Sequence, residues 1–204
     1  MKRSWGALAA LLLAACSLGP AQKEAPVTYD FGAPRADSGA QKSIHRSLLV
    51  QNVAAPAWLD TQSIIYRLGY QDAARQLSYA NSRWAAPPAE LLTQRLRGQL
   101  AAVTNAGIVS VADSARADYT LRVELDDFTQ VFDTAERSRA VVSARASIVD
   151  VAKRALLAQK TFAIERPAAS ANAEGGVRAL AVASDELVDA VVAWTAASLA
   201  AEQR

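Results

Sequence analysis

The sequence predicts an α+β fold in which an antiparallel or mixed β-sheet carries two long helices packed on one face. Three observations lead to this prediction. Apolar and polar residues alternate through consecutive segments between 119 and 164, and apolar residues recur at helical spacing twice, over 92–103 and 180–194. A period of two buries one face of a sheet, whereas a period near 3.6 buries one stripe of a helix. Each of these surfaces needs a cover, so we expect the helices to lie on the sheet.

Strands are predicted on both sides of the first helix. Before it, an apolar run is ended by Pro56, and two shorter runs lead towards Trp84; they cover 44–53, 64–67 and 76–79. After it, three strands form an antiparallel meander with one buried face. In the third of these, 156–164, Lys160 interrupts the alternation and leaves the register open. Arg122, Arg139 and Arg145 form either a basic stripe on the outer face or, as we favour, ordinary cross-strand pairs with Glu124 and Asp126.

Two helices complete the prediction. The first follows Pro87 and Pro88, because proline is tolerated in a first helical turn, and it ends before Gly107. Its apolar stripe consists of Leu92, Leu96, Leu100 and Val103. The second helix presents its stripe to the open face of the meander; the stripe consists of Leu180, Ser184, Leu187, Val191 and Trp194.

The N-terminus has the pattern of a secretory signal, with Lys2 and Arg3 before a short apolar run. As a helix this run rises about 14 Å, too little for roughly 30 Å of hydrocarbon. Its ending, Leu13-Ala14-Ala15-Cys16, resembles a bacterial lipobox. We therefore expect cleavage between Ala15 and Cys16 and lipidation of the Cys16 thiol; the alternative is that Cys16 is one more residue of an apolar leader.

The predicted domain organisation has three parts: a lipoprotein signal peptide at 1–15, the lipidated Cys16 with a flexible linker at 16–43, and a single α+β domain at 44–204. The linker is rich in proline and glycine, and about 26 flexible residues span roughly 28 Å. Within it, Tyr29-Asp30-Phe31-Gly32 is expected to dock as a short strand. Loss of the leader removes Lys2 and Arg3 and leaves no formal net charge, so nothing argues for a nucleic-acid partner.

The residue inventory predicts no enzyme, no metal site and no cofactor. His45 is the only histidine and Cys16 the only cysteine, so no nucleophilic triad or metal cluster can be assembled. Asp126 and Asp127 are adjacent in a strand and would point to opposite faces, so they cannot act together as a pair of catalytic acids. The two glycines at 175 and 176 are not followed by the third glycine and the lysine of a phosphate-binding loop.

Aromatic residues are concentrated between 58 and 84, where we place a candidate partner interface. Tyrosine and tryptophan are favoured at protein interfaces because they bury a large area with few torsions. Filling the core of the domain is the equal alternative for these side chains. The candidate residues are Trp58, Leu59, Tyr66, Tyr79 and Trp84.

Short motifs through most of the chain resemble those of the ABC-type transport auxiliary lipoprotein family, the PqiC-like lipoproteins. An inserted-looking stretch at 68–76 departs from the pattern and leaves the local strand pairing open. The motifs are Trp58-Leu59-Asp60, Ile65-Tyr66-Arg67, Leu77-Ser78-Tyr79, Trp84-Ala85-Ala86-Pro87-Pro88, Tyr29-Asp30-Phe31-Gly32 and Ala117-Asp118-Tyr119-Thr120-Leu121.

The resemblance implies an accessory, non-catalytic docking subunit of an MCE-type lipid transport system, held in the outer membrane by its lipid anchor and facing the periplasm. The implied partners are an MCE-domain protein that spans the periplasm, a permease and an ATPase; a homo-oligomeric ring is also implied. Ser17 after the cysteine, in place of aspartate, agrees with outer-membrane sorting. The alternatives are a carrier for a lipid or another hydrophobic ligand, and a structural envelope lipoprotein.

Overall fold

The fold is built around one long strand that the others join on both sides. The structure is a computed structural model that describes residues 25–33, 43–113 and 115–202. In these residues the strands are β1 (Val27–Tyr29), β2 (Leu48–Val50), β3 (Ser63–Leu68), β4 (Leu77–Trp84), β5 (Ile108–Val109), β6 (Tyr119–Phe132), β7 (Ser138–Asp150) and β8 (Ala155–Pro167). The α-helices are α1 (Pro88–Val103) and α2 (Ala173–Ala201), and a short 3-10 helix covers Val111–Asp113.

Strand β6 is the centre of an eight-stranded sheet, which is mixed, one of the two forms that the sequence allowed. One edge of β6 pairs antiparallel with β7, which pairs antiparallel with β8. The other edge pairs in parallel with β2 near the start of β6 and with β3 near its end. Strand β5 joins β2, while β4 joins β3 and β1 joins β4. The predicted meander is therefore confirmed, and the earlier strands extend it.

A β-bulge in β6 keeps one face of this strand buried along its whole length. From Tyr119 to Leu125 the odd-numbered residues are buried, as predicted. The register with β7 shifts between Leu125 and Asp127, so Asp126 is an extra residue. An extra residue reverses the alternation. The buried face therefore continues at even numbers, through Phe128, Gln130 and Phe132.

The strands before α1 differ in detail from the prediction. The run predicted over 44–53 forms only the short strand β2, with isolated bridges at Ile44 and Ala54 on either side. Strands β3 and β4 form an antiparallel pair that sets Tyr66 opposite Leu77. The inserted stretch at 68–76 is thus the connection of a β-hairpin, which settles the pairing that the sequence left open.

Both helices lie where the sequence placed them. Pro88 opens α1, which buries Leu92, Leu96 and Leu100. Helix α2 is capped by Asn172, whose side-chain oxygen accepts a hydrogen bond of 2.9 Å from the backbone nitrogen of Gly175. It packs against β7, β8 and α1. The two helices therefore close one face of the sheet and leave the other open.

Part of the predicted linker belongs to the folded body. Strand β1 pairs in parallel with the end of β4, two residues earlier than the short strand that we expected. The Phe31 side chain is 7% exposed and lies 5.6 Å from the ring of Trp84 and 5.8 Å from that of Phe128. Residues 25–33 are thus docked on the body rather than forming a free linker.

Candidate partner-binding surface

The five aromatic and apolar residues predicted as an interface do not share one surface. Leu59 and Trp84 are each 1% exposed and belong to the hydrophobic core. Their assignment as partner contacts is therefore corrected, because a fully buried side chain offers no area to a partner. Trp58, Tyr66 and Tyr79 are half-buried.

Tyr66 and Tyr79 form a pair on the helix-facing side of β3 and β4. Their ring centroids are 4.6 Å apart, and Tyr66 also contacts Phe132 at 5.7 Å. The Tyr79 hydroxyl donates a hydrogen bond of 2.8 Å to Oε1 of Gln130. Burial, together with the nearby Tyr66 hydroxyl, raises the pKa of Tyr79 from 10.0 to about 12.

Trp58 lies in the turn before β3 and packs partly against the hydrophobic core. The Arg67 guanidinium is 5.4 Å from the centroid of the Trp58 ring, which is a cation–π contact. Arg67 follows Tyr66 in β3, and neighbouring residues of a strand point to opposite faces. The structure therefore separates Trp58 from the tyrosine pair and leaves Trp58 with Arg67 as the candidate surface on the open face.

A fully buried glutamine joins the tyrosine pair to the start of α2. Gln130 is 0% exposed, and its Nε2 donates to the Ser138 hydroxyl at 2.8 Å and to the Asn172 carbonyl at 3.2 Å. With Tyr79 donating to its Oε1, each polar atom of the Gln130 side chain has a partner. This network satisfies a buried amide that would otherwise cost about 1–3 kcal/mol.

The first turn of α2 packs so closely on this hydrogen-bond network that only glycine fits at positions 175 and 176. A Cβ on Gly176 would lie 2.0 Å from Oε1 of Gln130, and a Cβ on Gly175 would lie 2.1 Å from the backbone oxygen of Ser170. In the sequence this glycine pair was of interest only for its failure to match a phosphate-binding loop. Its role in the structure is close packing of the helix on the sheet.

A buried arginine, which the sequence analysis missed, fastens the docked N-terminal segment. Arg95 of α1 is 8% exposed, and its guanidinium donates to the backbone oxygens of Phe31 (2.9 Å), Gly32 (2.9 Å) and Ala33 (3.2 Å). The same group lies 3.3 Å from a carboxylate oxygen of Asp185 in α2. Arg95 therefore ties residues 31–33 to both helices.

The cross-strand pairing that we favoured is confirmed for Arg145, whereas Arg139 pairs with other carboxylates and Arg122 lies opposite Ser147. Arg145 lies 3.1 Å from Glu124 and 3.7 Å from Asp126. Arg139 lies 3.1 Å from Glu165 and also contacts Asp133. Exposed pairs of this kind contribute little stability each, at about 0–1 kcal/mol.

His45 is exposed and lies 2.7 Å from the side-chain nitrogen of Asn105. Within 25–33, 43–113 and 115–202, no three carboxylate, histidine or cysteine side chains are grouped closely enough to hold a metal ion. Nor do these residues include a helix that is long and apolar enough to cross a membrane. Ala15 and Cys16, the predicted cleavage and lipidation sites, lie outside the described residues.

The Tyr79 hydroxyl provides a measurable test of the buried network. In Tyr79→Phe, Oε1 of Gln130 loses its donor, so we expect a loss of about 1–2 kcal/mol in unfolding free energy at neutral pH. Above pH 10 the unfolded chain releases the Tyr79 proton first, so native stability should fall between pH 10 and about 12. Tyr79→Phe should lose this part of the pH dependence.

Denaturant unfolding at several pH values measures both effects. Tyr70→Phe is the control, because Tyr70 is 45% exposed and outside the network. An unchanged pH profile in Tyr79→Phe would contradict the raised pKa.

The fold and this surface define a class: an α+β protein with a mixed sheet, two helices on one face and a half-buried tryptophan–arginine contact on the other. The model of the ABC-type transport auxiliary lipoprotein component family matches residues 29–192. The chain belongs to this family, which confirms the resemblance found in its motifs. No curated protein matches the chain.

Solved structures share the fold. Protein XCC0632 from Xanthomonas campestris is 19% identical, with a TM-score of 0.73, over 88% of this chain and 97% of that one. The hypothetical protein CT253 from Chlamydia trachomatis is 10% identical, with a TM-score of 0.53, over 77% of this chain and 99% of that one. At these identities the likeness extends to the fold alone.

Proposed function

We propose that this chain is a lipid-anchored, non-catalytic docking subunit of an MCE-type ABC lipid transport system, held in the outer membrane and facing the periplasm. Membership of the transport auxiliary lipoprotein family is the observation that carries the proposal. The Leu13-Ala14-Ala15-Cys16 motif supplies the anchor site, and Ser17 agrees with outer-membrane sorting. Several acyl chains on Cys16 would hold the protein stably in the bilayer.

The proposed anchor has a direct test. Cells that express the protein are labelled with radioactive palmitate, and the protein should carry the label in the wild type and lose it in Cys16→Ser. The Cys16→Ser form should also leave the membrane fraction. An unlabelled wild-type protein would contradict the proposal.

The docking role is tested by co-purification with the MCE-domain protein, the permease and the ATPase. Loss of the lipoprotein should reproduce the permeability defect caused by loss of the MCE partner. The proposal fails if the protein purifies without these partners and its deletion leaves permeability unchanged.

Trp58 is the residue whose replacement should affect docking most directly. It is half-buried on the open face, and truncation of a tryptophan in an interface commonly costs 2 kcal/mol or more, roughly a thirtyfold loss of affinity. We expect Trp58→Ala to reduce recovery of the MCE partner while the chain stays folded. Pull-down and circular dichroism measure the two properties.

Tyr70→Ala is the matched control for Trp58→Ala. Tyr70 is an exposed aromatic residue in the hairpin that follows Arg67, yet it is outside the candidate surface. Equal recovery of the partner with both variants would remove Trp58 from the interface.

One cleft among the described residues gives no support to the carrier alternative. A cleft of about 780 Å³ is lined mainly by charged and polar residues, among them Asp133, Arg137, Arg139 and Glu165. Sites for apolar ligands are lined mainly by hydrophobic side chains. A second cleft, of about 450 Å³, lies between β1 and α2. Native mass spectrometry that finds a stoichiometric lipid beyond the anchor would nevertheless favour the carrier.

A further inference from the structure

One row of side chains crosses five strands at the end of the sheet where β6 begins. Strand pairing sets Leu49 beside both Val109 and Thr120. It also sets Thr120 beside Val149, and Val149 beside Leu156. Paired residues point to the same face of a sheet. We call these five residues the apolar row, since four are aliphatic and the threonine contributes a methyl group.

The apolar row lies on the open face. The residues next to it in sequence, Leu48, Leu121 and Ile148, are 0% exposed and belong to the core beneath the helices. Neighbouring strand residues point to opposite faces, so the row points away from the helices. The row is therefore on the face opposite α1 and α2.

The row is exposed at its β8 end. Leu156 is 58% exposed, and Val151, in the turn between β7 and β8, is 44% exposed. Leu49, Val109 and Val149 are half-buried, and Thr120 in the middle of the row is only 7% exposed. Large aliphatic side chains at such exposure are unfavourable in water unless something covers them.

The next rows of the same face are polar, which gives the apolar row a sharp boundary. Arg122, Ser147 and Gln159 are paired side by side in the following row. Glu124 and Arg145 come after them and form an ion pair. The apolar character is therefore confined to the end of the sheet.

Three arginines frame the row at this end. Arg46 precedes β2, Arg116 precedes β6 and Arg154 lies in the turn between β7 and β8. These strand ends are adjacent, because Tyr119 pairs with both Leu48 and Asp150. All three arginines are exposed, and none of their side chains makes a hydrogen bond or ion pair with another described residue.

The acidic groups at the same end accept hydrogen bonds from groups other than these three arginines. Asp118 accepts hydrogen bonds from the backbone nitrogen and hydroxyl of Ser47, at 3.0 and 2.9 Å. Asp113 accepts from the Ser110 nitrogen, and Asp150 accepts from the Lys153 nitrogen. The three arginines thus remain available to an external anion.

We propose that the apolar row, Val151 and the three arginines form a contact surface for an anionic lipid bilayer. Exposed aliphatic side chains beside free arginines match a membrane interface, where the former enter the headgroup boundary and the latter bind lipid phosphates. The inference rests on the proposed anchor at Cys16, which keeps a bilayer within reach. It orients the body with the start of β6 towards the membrane.

Spin labelling of the full lipidated chain tests this orientation. In the wild type the thiol of Cys16 is expected to be blocked by lipid, so Leu156→Cys introduces the single free thiol. Gln159→Cys is the matched control, on the same strand and the same face but in the polar row. The proteins are reconstituted into phosphatidylglycerol–phosphatidylethanolamine vesicles or into phosphatidylcholine vesicles, and collision rates with oxygen and with a water-soluble nickel chelate are measured.

In the anionic vesicles we expect the label at 156 to lie about 5–10 Å within the interface, protected from the nickel chelate, while the label at 159 stays accessible. Protection at 156 should be lost in phosphatidylcholine, at high salt, and when Arg46, Arg116 and Arg154 are changed to glutamine. Equal accessibility at 156 and 159 in anionic vesicles overturns the inference. Protection that persists in detergent micelles with spin–spin broadening also overturns it, because a second copy then covers the row.

Failure of the anchor gives a different result. If Cys16 carries no lipid, the wild-type chain itself takes up the spin label and separates from the vesicles. That outcome rejects the anchor, whereas a vesicle-bound chain with label 156 in water rejects only the bilayer contact.

Discussion

Gly176→Ala is expected to destabilise the protein by about 3 kcal/mol. The added methyl group would lie 2.0 Å from Oε1 and 2.4 Å from Cδ of Gln130. Gln130 is fully buried and hydrogen-bonded to Tyr79, Ser138 and Asn172, so it cannot move without breaking those bonds. The destabilisation therefore combines a steric clash with unsatisfied buried polar groups. Chemical denaturation measures the loss of unfolding free energy.

Gly98→Ala is the matched control for this change. Gly98 lies in the middle of α1 with nothing within 4 Å of the added methyl group. Alanine is a better helix former by about 1 kcal/mol, so this variant should be as stable as the wild type or more stable. A Gln130→Ala change in the Gly176→Ala background should recover part of the loss by making room. Similar stabilities of Gly98→Ala and Gly176→Ala would contradict the close packing of α2.

Arg95→Met should produce the second large effect, about 3 kcal/mol, because it removes a buried cation from a buried ion pair. Methionine keeps much of the aliphatic stem, so the loss reports the guanidinium contacts. The backbone oxygens of Phe31, Gly32 and Ala33 would lose their donors, and Asp185 would lose this partner. We expect residues 27–33 to detach before the rest of the domain unfolds.

Hydrogen exchange locates this effect. The backbone nitrogen of Ala85 donates to the oxygen of Tyr29, so the Ala85 amide should exchange faster in Arg95→Met. Arg178→Met is the control, since Arg178 makes only an exposed pair with Glu174 and should change stability by less than about 0.5 kcal/mol. Unchanged exchange at Ala85 in Arg95→Met would show that β1 is held by other contacts.

Periodicity in the sequence predicted the elements of this fold better than their connections. The alternation from Tyr119 to Leu125 and the stripe from Leu180 to Trp194 are local properties, and both are confirmed. The bulge at Asp126 was missed, although the apolar residues shift from odd positions up to Leu125 to even positions at Phe128 and Phe132. Parallel pairing of β2 and β3 along one edge of β6 depends on contacts between distant segments.

The candidate surface was less predictable, because burial and interface formation draw on the same residue types. Trp58 and Trp84 look alike in sequence, yet only Trp84 packs against Phe31 and Phe128 in the core. Arg95 meets backbone oxygens more than 60 positions away, and Gly176 meets Gln130 of a distant strand. Such partners are chosen by the tertiary fold rather than by neighbouring residues.

The docking of β1 limits the distance between the folded domain and a lipid attached to Cys16. Eleven peptide units separate Cys16 from Val27, a distance of at most about 40 Å when fully stretched. A free segment through residue 42 would have reached more than twice as far. With the proposed anchor in place, Val27 stays within about 40 Å of the lipid. A partner anchored in the opposite membrane must then span most of the periplasm to reach this domain.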